Sequence, residues 1–406
     1  MISDSHTTIL WRQVWGVATI LTVVLLSFTI YGIYQPKILK DLGFIELAKG
    51  LGIVQGVLGI VIEPLIGGWS DRILARFGSR LPLITAGITF AGLIFVIVAF
   101  LIQQQLPPTL YGIFPLLMTI WVMAMIAVRG PVAALLIQFA PLNELPSANA
   151  VVVLVLGLTG ALAPLLNAAI QQVGTSIAFM IGAIALLIGG TVLYSTIPQR
   201  IHRGMNLATP SQPHLPEFPN RLVWLMIFGV GLGSALETNV LLGVFPEILQ
   251  QPLPQLSSAA IASMILFIAA LSANPLSRFI TQWGEAKTMQ VGLGAVLALM
   301  GLSLFNHSNV IFSVILIVAF GIAFGLVFTD TIPYALSVSL PTQAGLATGL
   351  YFSGAGAASA TFAFVQQQTN GLTGFEGFWG AAIAFAIAHL CLMRSSRAKP
   401  LISKNL

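Results

Sequence analysis

The chain has 406 residues, of which 57% are hydrophobic and 7% charged, with a formal net charge of +5 at pH 7. A soluble globular chain carries about a quarter charged residues, so the composition excludes that class and places the protein in a bilayer. The basic excess is spread between apolar runs and not gathered on one polar domain, which argues against a nucleic-acid partner.

Taken in chain order, apolar runs long enough to cross a bilayer, about 20 residues each, predict helices near 13–34, 50–69, 81–102, 112–138, 148–171 and 176–197. A second set follows at 221–249, 257–280, 288–305, 309–338, 344–367 and 375–394. The runs are unbroken, whereas barrel strands would alternate polar and apolar over about 10 residues. The first run is followed by YQPKILKDLG and no small-residue cleavage site, so it reads as a retained span. Cys391, the single cysteine, lies in the last run and excludes an internal disulfide.

Arginine and lysine fix an expected orientation. The termini and even-numbered loops hold Arg12, Arg72, Arg76, Arg80, Arg200, Arg203, Arg221, Arg278, Lys287, Arg394, Arg397, Lys399 and Lys404. The odd-numbered loops hold only Lys37, Lys40 and Lys49. Both termini are therefore expected in the cytoplasm, with the chain a multi-pass protein of a bacterial inner (plasma) membrane.

The one long polar interval, PQRIHRGMNLATPSQPHLPEFPN at 198–220, has five prolines and no apolar periodicity. It reads as a cytoplasmic linker between a bundle at 1–197 and another at 221–406, the latter ending in a short cytoplasmic tail. DRILARFG (71–78) and SRFITQWG (277–284) repeat across this midpoint, as do GPVAALLIQFAP (130–141) and IPYALSVSLP (332–341). Two repeats at nearly one offset predict a duplicated bundle.

Residues 67–82, GGWSDRILARFGSRLP, gather four charges between apolar runs and read as a loop. Orientation accounts for Arg72, Arg76 and Arg80, but not for Asp71 or the glycines at 67, 68 and 78. This stretch, with EPLIGGWSDR before it and IPYAL (332–336) later, resembles the major facilitator superfamily. The form S-D-R-x-x-x-R-F-G-x-R-x-P is most similar to the sucrose/proton and glycoside–pentoside–hexuronide symporters. The resemblance implies an all-α membrane protein of twelve transmembrane helices in two pseudo-symmetric six-helix bundles, the major facilitator fold. It implies a cytoplasmic latch role for Asp71, Arg72, Arg76 and Arg80, which would tie the bundles together and release for inward opening. The fourth helix departs from the plant-type sucrose carriers. The arginine and aspartate that serve sugar and proton there correspond to Ala133 and Gln138 here, so the scaffold is implied and sucrose specificity is not.

Charges inside a bilayer are costly and need a reason. Glu63, Arg129, Glu237 and Asp330 fall within predicted spans and are the candidates for proton coupling. In the fold resembled, helices four, seven and ten, carrying Arg129, Glu237 and Asp330, line the central cavity. Arg129 is expected either to face Asp330 across the cavity or to pair with Glu63 within the first bundle. Pro333, three residues beyond Asp330, removes a backbone donor and can free a carbonyl. Gln138, Asn239, Thr331 and Tyr334 are candidate solute-binding residues.

His202, His214 and His307 form no metal spacing, no GxxxxGK[ST] run indicates an ATP-driven pump, and no nucleophile–base set indicates an enzyme. The expected function is secondary active transport of a small polar solute, a sugar or glycoside, by alternating access with a coupling proton. No cofactor and no obligatory protein partner are expected beyond solute, cation and lipid bilayer. The rival readings are a drug or metabolite efflux carrier, and a non-transporting pigment- or lipid-handling assembly factor on the same fold.

Overall fold

The computed structural model describes residues 8–104, 106–197, 220–306, 309–369 and 371–398. Most of the 198–220 interval, with His202 and His214, lies outside the described residues, as do His307 and the segment from Lys399 onward. Twelve long helices run antiparallel in succession among the described residues. The first six are α1 (Trp11–Asp41), α2 (Ile45–Phe77), α3 (Leu81–Gln103), α4 (Ile113–Ala133), α5 (Leu145–Ala161) and α6 (Thr175–Thr196). The second six are α7 (Asn220–Gly243), α8 (Ser258–Trp283), α9 (Glu285–Ser303), α10 (Val310–Ser337), α11 (Ala344–Thr369) and α12 (Gly374–Ala398). The end of the molecule where α1 begins and α2 finishes is called basal below, and the opposite end distal.

Three spans are interrupted helices. After α4 the chain turns at Ala134–Leu135 and resumes over Leu136–Phe139. After α5 it breaks at Leu162 and continues over Ala163–Val173, and after α7 a break at Val244 precedes Phe245–Gln250. Pro164 and Pro246 open the resumed segments, as suits a residue with no amide to donate.

Eleven helices among the described residues are long and apolar enough to cross a membrane on their own. The exception is α11, whose sequence AGLATGLYFSGAGAASATFAFVQQQT is rich in Gly, Ala, Ser and Thr. Its small residues serve close packing in place of lipid contact. It lies against α2 of the first bundle and α7 of its own.

The charged stretch at 67–82 is not the loop expected from its composition. Helix α2 continues through Asp71, Arg72 and Arg76 to Phe77, and only residues 78–80 connect it to α3. Charge does not stop a helix that has left the hydrocarbon. Gly78 does so by taking φ 70°, and its amide bonds Leu74 O at 2.8 Å, a left-handed cap open to glycine at little cost. Gly284 also closes α8 at positive φ, 83°, with its amide on Ile280 O at 2.8 Å, but its ψ of 148° places it outside the left-handed helical cap.

The duplication extends to the packing. Gly87 of α3 lies against Val128 and Ala124 of α4, and Gly292 of α9 lies against Val327 and Ala323 of α10. The first bundle is centred on Trp121, 1% exposed, which stacks on Tyr31 at 4.7 Å and on Phe95 at 4.6 Å. Tyr31 in turn donates to Gln55 Oε1 at 2.9 Å, so α1, α2, α3 and α4 meet at one aromatic cluster.

Candidate functional site

The two bundles meet along two seams: α2 with α11, and α5 with α8 and α10. At the α2–α11 seam the backbones nearly touch. A Cβ on Gly345 would come within 2.6 Å of Gly67 O, and one on Gly349 within 2.5 Å of Glu63 O. At the other seam Gly157 of α5 admits Ala270 of α8.

Asp71 sits at the basal mouth of the first seam. Its Oδ1 accepts from Gly345 N and its Oδ2 from Leu346 N, both at 2.8 Å. Those amides belong to the first turn of α11, where no carbonyl of the helix itself can reach them. A carboxylate of one bundle thus caps a helix of the other, with the favourable end of the helix dipole added to the hydrogen bonds. Arg80, wholly buried, donates from Nη2 to Asp71 Oδ1 at 2.6 Å. Burial draws the Arg80 pKa below its ordinary value while the neighbouring Asp71 works in the other direction. Arg72 and Arg76 are exposed, and Arg76 lies over the ring of Phe77 at 5.4 Å. Of the four residues grouped by the motif, Asp71 and Arg80 are brought together at the seam and the other two face outward.

Moving distally along α2 by about 12 Å, Glu63 forms an ion pair with Arg129 of α4. Glu63 is 5% exposed and the Arg129 side chain 30%. The guanidinium also lies 4.6 Å from the centre of the Phe352 ring on α11, a cation–π contact across the seam. Of the two arrangements expected for Arg129, this conformation therefore has the pairing with Glu63. Asp330 is turned toward its own bundle, fully buried, and its Oδ2 accepts from Thr288 Oγ1 of α9 at 2.7 Å.

Glu237 of α7 is 1% exposed and neither carboxyl oxygen has a hydrogen-bond partner among the described residues. It lies one turn from Gly233, which packs against Ala384 and Ala388 of α12. Glu237 therefore shares the α12-facing side of α7.

The solute-binding candidates are dispersed. Tyr334 is fully buried and donates to Ser395 Oγ at 3.1 Å. Thr331 donates to Phe328 O of its own helix at 2.9 Å. Gln138 stands half-buried near the basal end beyond the break in α4, and Asn239 is half-buried with Nδ2 on Ser359 Oγ at 3.2 Å. Among the described residues no group of His, Cys, Asp and Glu is placed to hold a metal. Sequence reasoning missed Asn149, Thr348, Ser353 and Phe352, which reach across the seams. Their partners there are backbone atoms or the Arg129 guanidinium, so no paired motif marks them.

The sequence model of the Major Facilitator Superfamily matches residues 17–364. The chain belongs to the Major Facilitator Superfamily. Three solved facilitator-like structures share its fold at low identity. A bacterial homologue of the iron transporter ferroportin in an outward-facing state has a TM-score of 0.70 at 13% identity, covering 95% of this chain and 98% of that one. The human organic anion transporter MFSD10 gives 0.63 at 16%, covering 95% and 97%. The proton:xylose symporter XylE bound to 6-bromo-6-deoxy-D-glucose gives 0.62 at 15%, covering 94% and 95%. A search of curated protein sequences finds no match. As a facilitator, the protein is a multi-pass membrane transporter and not an enzyme.

Proposed function

We propose that this facilitator moves a small polar solute by alternating access, with a proton as the coupling ion, and that basal closure is the state seen here. One observation carries the reading. The Glu63–Arg129 pair joins two helices long and apolar enough to cross a membrane and lies against Phe352, at the seam that has to open. A proton delivered to Glu63 removes its charge, frees Arg129 and weakens the contact with α11. A titration inside the membrane is thereby linked to the parting of the bundles. Glu237 and Asp330 are the further carboxyls of the coupling set.

The lysine and arginine distribution supports a cytoplasmic basal end in a bacterial inner membrane, which makes this an outward-facing arrangement. A sugar or glycoside is the favoured solute on the motif resemblance, and XylE supplies a facilitator-fold precedent with bound sugar.

The test is uptake of a labelled sugar panel into proteoliposomes with and without an imposed proton gradient. We expect gradient-driven uptake of at least one sugar. In Glu63→Gln it should fall at least tenfold while solute exchange at equal pH persists, the loss of about 1.4 kcal/mol of driving linkage or more. Uptake indifferent to the gradient sinks the coupling. Absence of any uptake, together with co-purified pigment or lipid, replaces transport with the assembly-factor reading.

A further inference from the structure

Of the three prolines inside seam helices, Pro275 of α8 is exposed, whereas Pro64 of α2 and Pro333 of α10 stand at the contacts between the bundles. Each of these last two removes the amide that would bond the carbonyl four residues earlier, which leaves Ile60 O and Thr329 O without their helical donors. Such a carbonyl needs another partner wherever lipid surrounds the helix. Both find it in the opposite bundle. Ser353 Oγ of α11 donates to Ile60 O at 2.6 Å, and Asn149 Nδ2 of α5 donates to Thr329 O at 2.8 Å. Ser353 is 1% exposed and Asn149 wholly buried. Each bundle supplies one freed carbonyl and one donor, and the two bonds lie on different seams.

We infer that Ser353 and Asn149 are positioning residues of the transport cycle, reading proline-freed carbonyls so that the bundles close in one register. Elsewhere along an unbroken helix each carbonyl is already bonded to its own helix, so a polar side chain sliding past gains little. At Ile60 and Thr329 the acceptor is open, and a slip of one turn forfeits it. When the bundles part, water entering the seam takes over both carbonyls, so neither state of the cycle strands a backbone group. The exchange of side chain for water keeps closure reversible, which a permanent helix bond would not do. This role concerns the geometry of closure and is independent of which solute or ion moves.

The test reads conformation and requires no known solute. In a Cys391→Ser background, spin labels are placed at Ala75→Cys and Gln282→Cys. Both positions are exposed at the basal ends of α2 and α8, in opposite bundles. The measured quantity is the ratio of basal-open to basal-closed populations. With Pro64 present, Ser353→Ala should raise that ratio about three- to tenfold, the net worth of one hydrogen bond. With Pro64→Ala, which returns an amide to Ile60 O, the same change should raise it less than about twofold. Asn149→Ala, compared with and without Pro333→Ala, should behave alike and decides the matter if a Pro64 variant fails to insert. Equal shifts with and without the proline, or no shift at all, overturn the role of that seam's donor.

Discussion

Replacing Asp71 by asparagine is expected to shift the molecule from basal-closed toward basal-open by about a hundredfold and to abolish concentrative uptake, while leaving expression and monodispersity intact. The size follows from three interactions converging on one carboxylate: the amides of Gly345 and Leu346, and the buried guanidinium of Arg80. An amide side chain can accept from one of the two backbone donors, but its own NH2 group confronts the other. It also leaves Arg80, fully buried, without a counter-charge. Breaking a buried pair in this one-sided way costs about 3–5 kcal/mol, and part of that is recovered as water enters the opened mouth. Spin-label distances across the basal end measure the shift directly. Unchanged distances with normal uptake would remove Asp71 from the gating of this protein. Arg72→Ala and Arg76→Ala, whose side chains face outward, should leave the distances as they are.

The second large effect comes from a single methyl group. Gly67→Ala places a Cβ against the backbone of Gly345 and Leu346, atoms that cannot turn aside as a side chain can. The seam must widen by the better part of an ångström, and both the Asp71 cap and the Ser353–Ile60 bond are then stretched beyond use. We expect a folded protein held basal-open, with uptake down more than tenfold. Its neighbour is the control. A Cβ on Gly68 meets nothing within 4 Å, so Gly68→Ala should transport within about twofold of the parent, or slightly stabilise α2 by restricting the unfolded chain. Equal losses from the two substitutions would mean that helix propensity and not seam contact is responsible.

The architecture was readable in the sequence because lipid imposes it. Twelve apolar runs, a polar midpoint and repeated motifs lead directly to two six-helix bundles, and the paired glycines 87 and 292 carry the duplication into packing contacts. The end of α2 was not readable from charge, because polar residues extend a helix beyond the bilayer as readily as they form a loop; Gly78 was the true marker. At the site the limit is of another kind. Motif resemblance singled out Asp71, yet what Asp71 holds is backbone N–H of α11, which no side-chain pattern announces. Pro333 signalled a free carbonyl, but only the packing of the two bundles reveals that Asn149 of the other bundle takes it. Arg129 illustrates the same point. Two acids were available by helix position, and the choice of Glu63 over Asp330 depends on which face of each helix meets the other.

The make-up of α11 has a consequence for how the protein is built. The helix that does most to join the bundles is the one too poor in large apolar residues to count as a membrane span by itself. During synthesis it reaches the insertion machinery after α2 and α7, the two helices whose surfaces it fits. Its entry into the bilayer should therefore depend on helices already in place. Isolated between reporter domains, residues 344–369 should insert poorly, whereas the same segment in the complete chain should insert fully. Efficient insertion of the isolated segment would remove that dependence. If it holds, substitutions on α2 far from any solute path should lower the yield of correctly threaded protein by leaving its eleventh helix stranded outside the membrane.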